Sequence, residues 1–337
     1  MAKKILITGA GGYIASVSTD LFLKNGYEVV AVDNFSRGYK QPLELLQKEY
    51  GEEKLRFYTA DLRTEINDVL DKENGIQAVI HYAALCNVGE SEKNPHIYFD
   101  NNVNASLSLL KSMKEHDINK IVVSSTCSLY GEPQTDTLDE THPVDPKSHP
   151  YGESKYMSER VIDWFHKVHG IQYIFMRYFN VCGATDDGKI GDSKKPSFHL
   201  MQNAVRGALG LDSFFLNNTQ VDTPDGTPIR DYVNVADLND AHLKAVEYID
   251  TATKPEIFNL GTGTGNSVME IIKAVEDITG VKLEMKEGER RKGDVSKAVA
   301  SNKKITEMLG WQPKRSIQDS VNSLVTWYKT HPTGWDY

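Results

Sequence analysis

Short apolar runs alternate with longer helix-period segments along the first half of the chain. The runs at 5–7, 28–32, 55–58, 78–82, 121–124 and 173–176 are rich in β-branched residues and bounded by turn formers, which predicts strands. Between them, apolar positions recur with helical spacing at 13–25, 64–72, 96–115 and 151–169. Strands that are apolar nearly throughout bury both faces, so the repeated βα units predict a parallel sheet covered by helices on each side. This is the doubly wound, Rossmann-type α/β class. After residue 180 the rhythm breaks into a Gly-, Asp-, Asn- and Pro-rich stretch reaching Arg230, around one helix at 197–209. A helix at 235–248, a strand at 256–260 and helices near 267–279 and 317–328 complete the chain. The pattern predicts a dinucleotide-type domain over 1–180, to which a segment near 235–262 returns. A smaller, mixed α/β substrate domain over 181–337 would pack on the sheet's carboxyl edge, where open α/β sheets hold their ligands.

Candidate chemistry begins right after the first strand. Thr8-Gly9-Ala10-Gly11-Gly12-Tyr13-Ile14-Ala15 opens the first helix, and its glycines fit GxxGxxA spacing better than GxGxxG. Gly9 and Gly12 let the backbone turn and approach a pyrophosphate at the helix N-terminus, where Tyr13 and Ile14 begin the helix. Without a ligand, the same glycines make an ordinary turn. Asp33 ends the second strand, with Asn34 next, where a carboxylate binds adenosine ribose hydroxyls and repels a 2′-phosphate. That favours NAD, while the nearby Arg37 leaves NADP open. Asp61 and Leu62, just past the third strand, fall where an adenine would lie.

Tyr151 and Lys155 are four residues apart and share a helix face. An ammonium beside a phenol favours the phenolate and would draw the tyrosine down from ~10, making a general base near neutral pH. Taken alone, the pair also fits an ordinary helix surface. Its company changes the picture, because Ser124-Ser125-Thr126 ends the preceding strand.

The 337 residues carry a formal net charge of -9 with dispersed Lys and Arg, which argues against a nucleic-acid or membrane-surface partner. No apolar run approaches the ~18 residues of a membrane span. The cysteines Cys86, Cys127 and Cys182 form no CxxC pair and suit a reducing cytoplasm. The histidines have no acidic or Cys partners at ligand spacing, so no metal is expected.

These motifs, with several downstream, resemble the extended short-chain dehydrogenase/reductase family, and within it the nucleotide-sugar 4-epimerases. The matching stretches include Val79-Ile80-His81-Tyr82-Ala83-Ala84-Leu85, Val88-Gly89-Glu90-Ser91, Asn101-Asn102-Val103 and Arg177-Tyr178-Phe179-Asn180. Further on come Arg230-Asp231-Tyr232, Asn259-Leu260-Gly261-Thr262-Gly263, Arg291-Lys292-Gly293-Asp294 and Leu309-Gly310-Trp311, so the likeness runs from Lys4 to Tyr337.

The resemblance implies bound NAD, touched also by Tyr82, Ala83, Ala84, Asn101, Ser124 and Tyr178. It makes Tyr151 the base, Lys155 its partner and a ligand of the nicotinamide ribose, and Thr126 a hydrogen-bond partner of the reacting oxygen. Asn180 and Arg230 would hold the substrate diphosphate, Arg291 would add charge, and Asp294 would meet the nucleoside ribose. His199, Leu200 and Ala298 would complete the substrate pocket. The implied reaction is 4-epimerisation of UDP-glucose and UDP-galactose. UDP-GlcNAc and UDP-GalNAc stay open, because Ala298 falls where a bulky residue would close a plain-hexose pocket.

Another epimerase or reductase of the family, or a catalytically idle NAD-binding sensor, is the alternative. Cys86 stands where a lysine is common near the cofactor, and Asn217 where an aromatic often stacks on uracil, so the base stays open. No carboxylate follows Thr126 until Glu132, which favours epimerisation over elimination. Helices 96–115 and 151–169 carry apolar residues on more than one face, among them Leu107, Leu110, Met157, Ile162, Trp164 and Phe165, which predicts a homodimer.

Overall fold

The computed structural model describes residues 3–146, 149–194, 197, 199–217, 220–288 and 295–335. In chain order, the first half forms β1 (Lys4–Thr8), α1 (Tyr13–Lys24), β2 (Glu28–Asp33), α2 (Gln41–Tyr50), β3 (Leu55–Thr59), α3 (Ile66–Leu70) and β4 (Ile76–His81). It continues through α4 (Val88–Lys93), α5 (Pro95–Tyr98), α6 (Ala105–Glu115), β5 (Lys120–Thr126), α7 (Pro150–His169) and β6 (Gln172–Tyr178). The second half holds β7 (Asn180–Cys182), α8 (Leu200–Ala208), β8 (Phe214–Asn217), β9 (Ile229–Asn234), α9 (Val235–Tyr248) and β10 (Glu256–Leu260). It ends with β11 (Gly265–Ser267), α10 (Val268–Thr279), β12 (Met285–Gly288), β13 (Lys297–Ala298), α11 (Lys303–Leu309) and α12 (Ile317–Thr330).

A seven-stranded sheet of order β10-β6-β5-β4-β1-β2-β3 forms the main layer. Every pairing in it is parallel. Alternate residues of one strand feed opposite cores, the geometric consequence of a two-residue repeat. Ile5 and Ile7 join α1, α2 and α9 on one face, while Leu6 joins α3, α6 and α7 on the other. That double burial is why the strands read as continuous apolar runs. β10, far along the chain, docks in parallel on β6 and extends the sheet.

The remaining second-half elements build a smaller lobe. β9 pairs with β11, β13 and β7, β8 pairs with β12, and α8, α10 and α12 pack around Ile271, Leu324 and Trp327. The single helix expected over 96–115 is instead α5, a π-helical segment Phe99–Asn104, and α6. The wider turn coincides with Asn102, whose buried side chain bonds outside its own helix, to Leu85 and Ser154. Among the described residues, no helix is long and apolar enough to cross a membrane.

Neutral histidines sit inside this fold. His81 Nδ1 meets Thr8 Oγ1 at 2.8 Å and its Nε2 meets Ser106 Oγ at 3.1 Å. His242 donates from Nδ1 to Leu238 O, so its Nε2 accepts from Tyr178 Oη at 2.6 Å. Burial pushes His81 down to about 3 and His242 down to about 4, from 6.5. Below pH 6.5 the unfolded chain takes up protons at both rings and the folded chain does not. Their contribution is therefore complete above that pH and is lost as pH falls toward the folded values. Together the two rings should cost about 4 kcal/mol between pH 7 and pH 5, at about 1.4 kcal/mol per unit each. Urea unfolding at the two pH values measures this; equal stabilities would show that both rings protonate without loss of the fold.

Candidate active site

The carboxyl ends of the parallel strands open into a cleft of about 1390 Å³ between the sheet and the smaller lobe. At one end the chain leaves β1 through Gly9, whose φ of +70° is left-handed and favours glycine. A Cβ there would also lie 2.7 Å from the Ala83 backbone, so only glycine lets the β1 and β4 ends close together. Gly12 then caps α1 with no side-chain hydrogen bond, and the first turn of α1 carries no acidic residue. The positive end of the helix dipole is thus left for an anion. Ala15 is buried against the sheet, where a small side chain keeps α1 close.

Asp33, at the end of β2, accepts from Gly11 N at 2.9 Å and Phe35 N at 2.7 Å. Burial pushes its carboxyl up, while those amides hold it down. Arg37 is engaged by Glu90 at 2.5 Å, so its charge is countered by protein. Asp61 is held well below the usual carboxylate range, chiefly by Arg63, and Asn34 donates to it at 3.1 Å. Glycine cradle, open helix terminus and β2 carboxylate together fit an adenine dinucleotide without a 2′-phosphate.

At the centre of the cleft, Thr126 ends β5 close to Tyr151, near enough for its hydroxyl to favour the ionised phenol. α7 begins there because His149 caps it, its Nδ1 accepting from Gly152 N at 3.0 Å, and Pro150 occupies the first turn. The His149 ring also stacks on Tyr151, with centroids 5.9 Å apart and planes 8° from parallel. Tyr98 meets the Tyr151 ring edge-on at 6.5 Å. Beneath, Asn102 donates to Ser154 Oγ at 2.9 Å and accepts from Leu85 N at 2.8 Å, tying the segment after β4 to α7.

The electrostatics differ from the expectation of a lowered phenol. Burial pushes the Tyr151 hydroxyl up, with the nearby Thr126 hydroxyl pulling the other way. Burial likewise lowers Lys155 to about 8, against Glu159 and Cys86, which raise it. Loss of hydration outweighs pairing here, since each group must charge where water is excluded. Cys127, next to Thr126, is pushed up by burial to about 12 and is no nucleophile.

At the far end, Arg230 on β9 sits beside Ala298 on β13, a registered pair whose side chains both border the cleft. Asn180 on β7 and His199, which precedes α8, border it as well. Among the described residues, no group of three or more His, Cys, Asp or Glu could hold a metal ion.

Residues 5–261 match the NAD dependent epimerase/dehydratase family. The UDP-glucose 4-epimerase of Lactobacillus helveticus is 37% identical over 336 residues, spanning 99% of each chain. The chain belongs to this family. Its fold agrees with that of UDP-glucose 4-epimerase from Bifidobacterium longum in complex with NAD+ and UDP, with a TM-score of 0.92 at 34% identity over 99% of this chain and 100% of that one. The UDP-Glc/GlcNAc 4-epimerase of Campylobacter jejuni is similar too, with a TM-score of 0.83 at 35% identity over 98% and 100% of the two chains.

Within this epimerase fold, the residues marked from sequence at the cofactor end gather on one wall. Gly9, Gly12, Tyr13, Ile14, Asp33 and Asn34 line the cleft, followed by Asp61 and Leu62. Tyr82, Ala83, Ala84, Asn101, Ser124 and Tyr178 line it nearer Tyr151 and Lys155. Leu200 does not; it packs on the second-lobe core instead, because α8 turns that position inward. Arg291 and Asp294 lie outside the described residues. The sequence reading passed over Asn102, His149 and Lys194. Asn102 stood inside a noted motif, and a residue before Pro150 at a helix start is a capping signal, but Lys194 lies on an irregular segment without periodicity.

Proposed function

We propose that this protein is an NAD-dependent 4-epimerase of nucleotide sugars, interconverting UDP-glucose and UDP-galactose. The observation that carries the reading is the grouping of Tyr151, Lys155 and Thr126 where the glycine-rich end of the cleft meets the Arg230 end. Kinship supports it: the L. helveticus relative is a UDP-glucose 4-epimerase, and the B. longum relative holds NAD+ and UDP. Residues 1–180 with 235–262 make the cofactor domain, and the rest of 181–337 the nucleotide-sugar domain.

When bound, NAD would supply a hydride acceptor for C4 of the sugar and would give the hydride back to the opposite face once the 4-keto sugar has turned. Tyr151 removes the 4-hydroxyl proton and later restores it, while Thr126 holds that oxygen. Lys155, one turn along α7, favours the phenolate when protonated and reaches the nicotinamide ribose. Arg230 offers forked donors to the substrate diphosphate, with Asn180 alongside. Arg291 adds charge there and Asp294 meets the nucleoside ribose. Cys127 occupies the position after Thr126, where elimination would need a carboxylate; Glu132 borders the cleft only beyond the following turn.

The protein works in the cytoplasm, where its free thiols stay reduced. It acts as a homodimer through α6 and α7, on which Leu107, Met157, Trp164 and Val168 are exposed. The pocket is open to acetylated sugars because Ala298 gives it only a methyl group beside Arg230.

Tyr151→Phe keeps the ring packing and removes the proton acceptor, so turnover of UDP-galactose should fall by about 100-fold or more with NAD binding retained. Near-normal turnover would remove Tyr151 from the reaction. UDP-GlcNAc and UDP-GalNAc should interconvert within about tenfold of the plain hexoses, a gap of about 1.4 kcal/mol. Ala298→Tyr should then suppress the acetylated pair selectively; equal loss on both sugar types, or no acetyl-sugar turnover in the parent, would sink that assignment. Light scattering should give twice the 37.8 kDa chain mass, and a monomer at micromolar concentration would refute the dimer.

A further inference from the structure

We propose that Lys194 supplies a cation to the diphosphate of the bound dinucleotide, from a strap that the second half of the chain lays across the glycine-rich turn. The inference rests on the NAD-dependent reading above. It starts from the segment 183–194, which is fixed from both sides. On the cofactor side, Tyr13 Oη donates to Gly183 O, Lys189 Nζ reaches Asp20 at 2.7 Å and Glu49 at 2.9 Å, and Tyr39 Oη donates to Ser193 O at 2.9 Å. From the other lobe, Tyr328 Oη donates to Asp192 O at 3.0 Å and Trp335 N to Ser193 Oγ at 3.0 Å. Lys194 follows Ser193 directly, so its backbone is preset before any ligand arrives.

Its ammonium is carried to the cofactor corner of the cleft. Lys194 borders the main cleft and also a small adjoining cavity shared with Gly11, Gly12, Tyr13 and Arg37. Nζ lies 3.6 Å from Sγ of Cys86, on the opposite wall just beyond β4. The acid nearby, Asp192, is buried and accepts from Ser197 Oγ at 2.9 Å and from Lys194's own N–H at 3.2 Å.

The charge pattern then points to an anion. The α1 N-terminus already presents partial positive charge with no cap and no acid in its first turn. Cys86 and Asp192 favour the charge on Lys194, outweighing burial and the nearby Arg37, which is itself held by Glu90. A stable ammonium beside a helix N-terminus makes that corner positive and attractive to an anion placed between them. A diphosphate at Gly12 fits there, accepting from the helix amides on one side and from Lys194 on the other.

The test measures ligand affinity. Lys194→Met keeps the aliphatic stem and should weaken NAD and ADP-ribose about 10- to 100-fold, the range for one charge-assisted hydrogen bond, and flatten the salt dependence of both. Adenosine, which has no phosphate, should bind Lys194→Met as it binds the parent, which separates a lost charge from a damaged fold. Adding Cys86→Lys to Lys194→Met returns a cation to the same corner and should recover most of the lost affinity. Equal NAD affinity in Lys194→Met and parent overturns the role of Lys194 and leaves the NAD-dependent reading intact. Equal weakening of adenosine overturns it as well. A parent protein that binds no NAD overturns the reading on which the inference stands.

Discussion

Parallel pairing of β1 with β2 on one side and β4 on the other is the constraint on which the site depends. In register, Ile5 faces Val29 and Ala78, so β1 is hydrogen-bonded along both edges. Its side chains are buried on both faces, with Leu6 and Ile7 fully enclosed. Because all strands run the same way, their carboxyl ends fall along one edge. Gly9, Asp33, Tyr82, Thr126 and Tyr178 leave different strands and still line one cleft. A one-residue slip of β1 would turn its apolar set inside out and move the glycine cradle away from Asp33.

The second lobe is held to this edge by buried charge as well as apolar contact. Asp231, next to Arg230 on β9, is fully buried and accepts from the backbone of Thr262 at 2.7 Å, Gly263 at 2.9 Å and Ala300 at 3.2 Å. Those donors replace the water it lost, and in doing so fix the loop after β10 and the strand region beyond β13 around Arg230. Arg315 does similar work between Asp237 and Asp186, linking α9 to the segment after β7. Arg230 is therefore set on a strand whose neighbours are fixed by buried polar contacts.

Enclosure shapes the central pair in an instructive way. Tyr151 and Lys155 share a helix face, but their partial or full burial beside the cleft raises the phenol and lowers the ammonium to about 8. In such surroundings each remaining partner counts for more, because a low dielectric strengthens every charge and dipole nearby. The Thr126 hydroxyl favours the ionised phenol, while the His149 ring stacked on Tyr151 and the Asn102 bond to Ser154 hold that part of α7 in place.

The sheet strands of the first half were legible because double burial writes an unbroken apolar run, and α9 and β10 matched their predicted limits because periodicity and turn residues agree there. Gly9, Asp33, Tyr151 and Lys155 were legible because their chemistry is tied to short spacings beside a strand or within one helical turn. β7, β11 and β13 were not, since strands of two or three residues carry no period and exist only through pairing with β9. The π-helical turn at Phe99–Asn104, the stacking of His149 on Tyr151 and the approach of Lys194 to Cys86 were equally invisible. Sequence by itself determined which residues lie within a turn or a strand of one another, and so the sheet and the groups that line its carboxyl edge. Contacts between segments distant in the chain, and the burial they impose on Tyr151 and Lys155, were decided only by the tertiary structure, because no local spacing encodes which groups lose water when distant elements pack together.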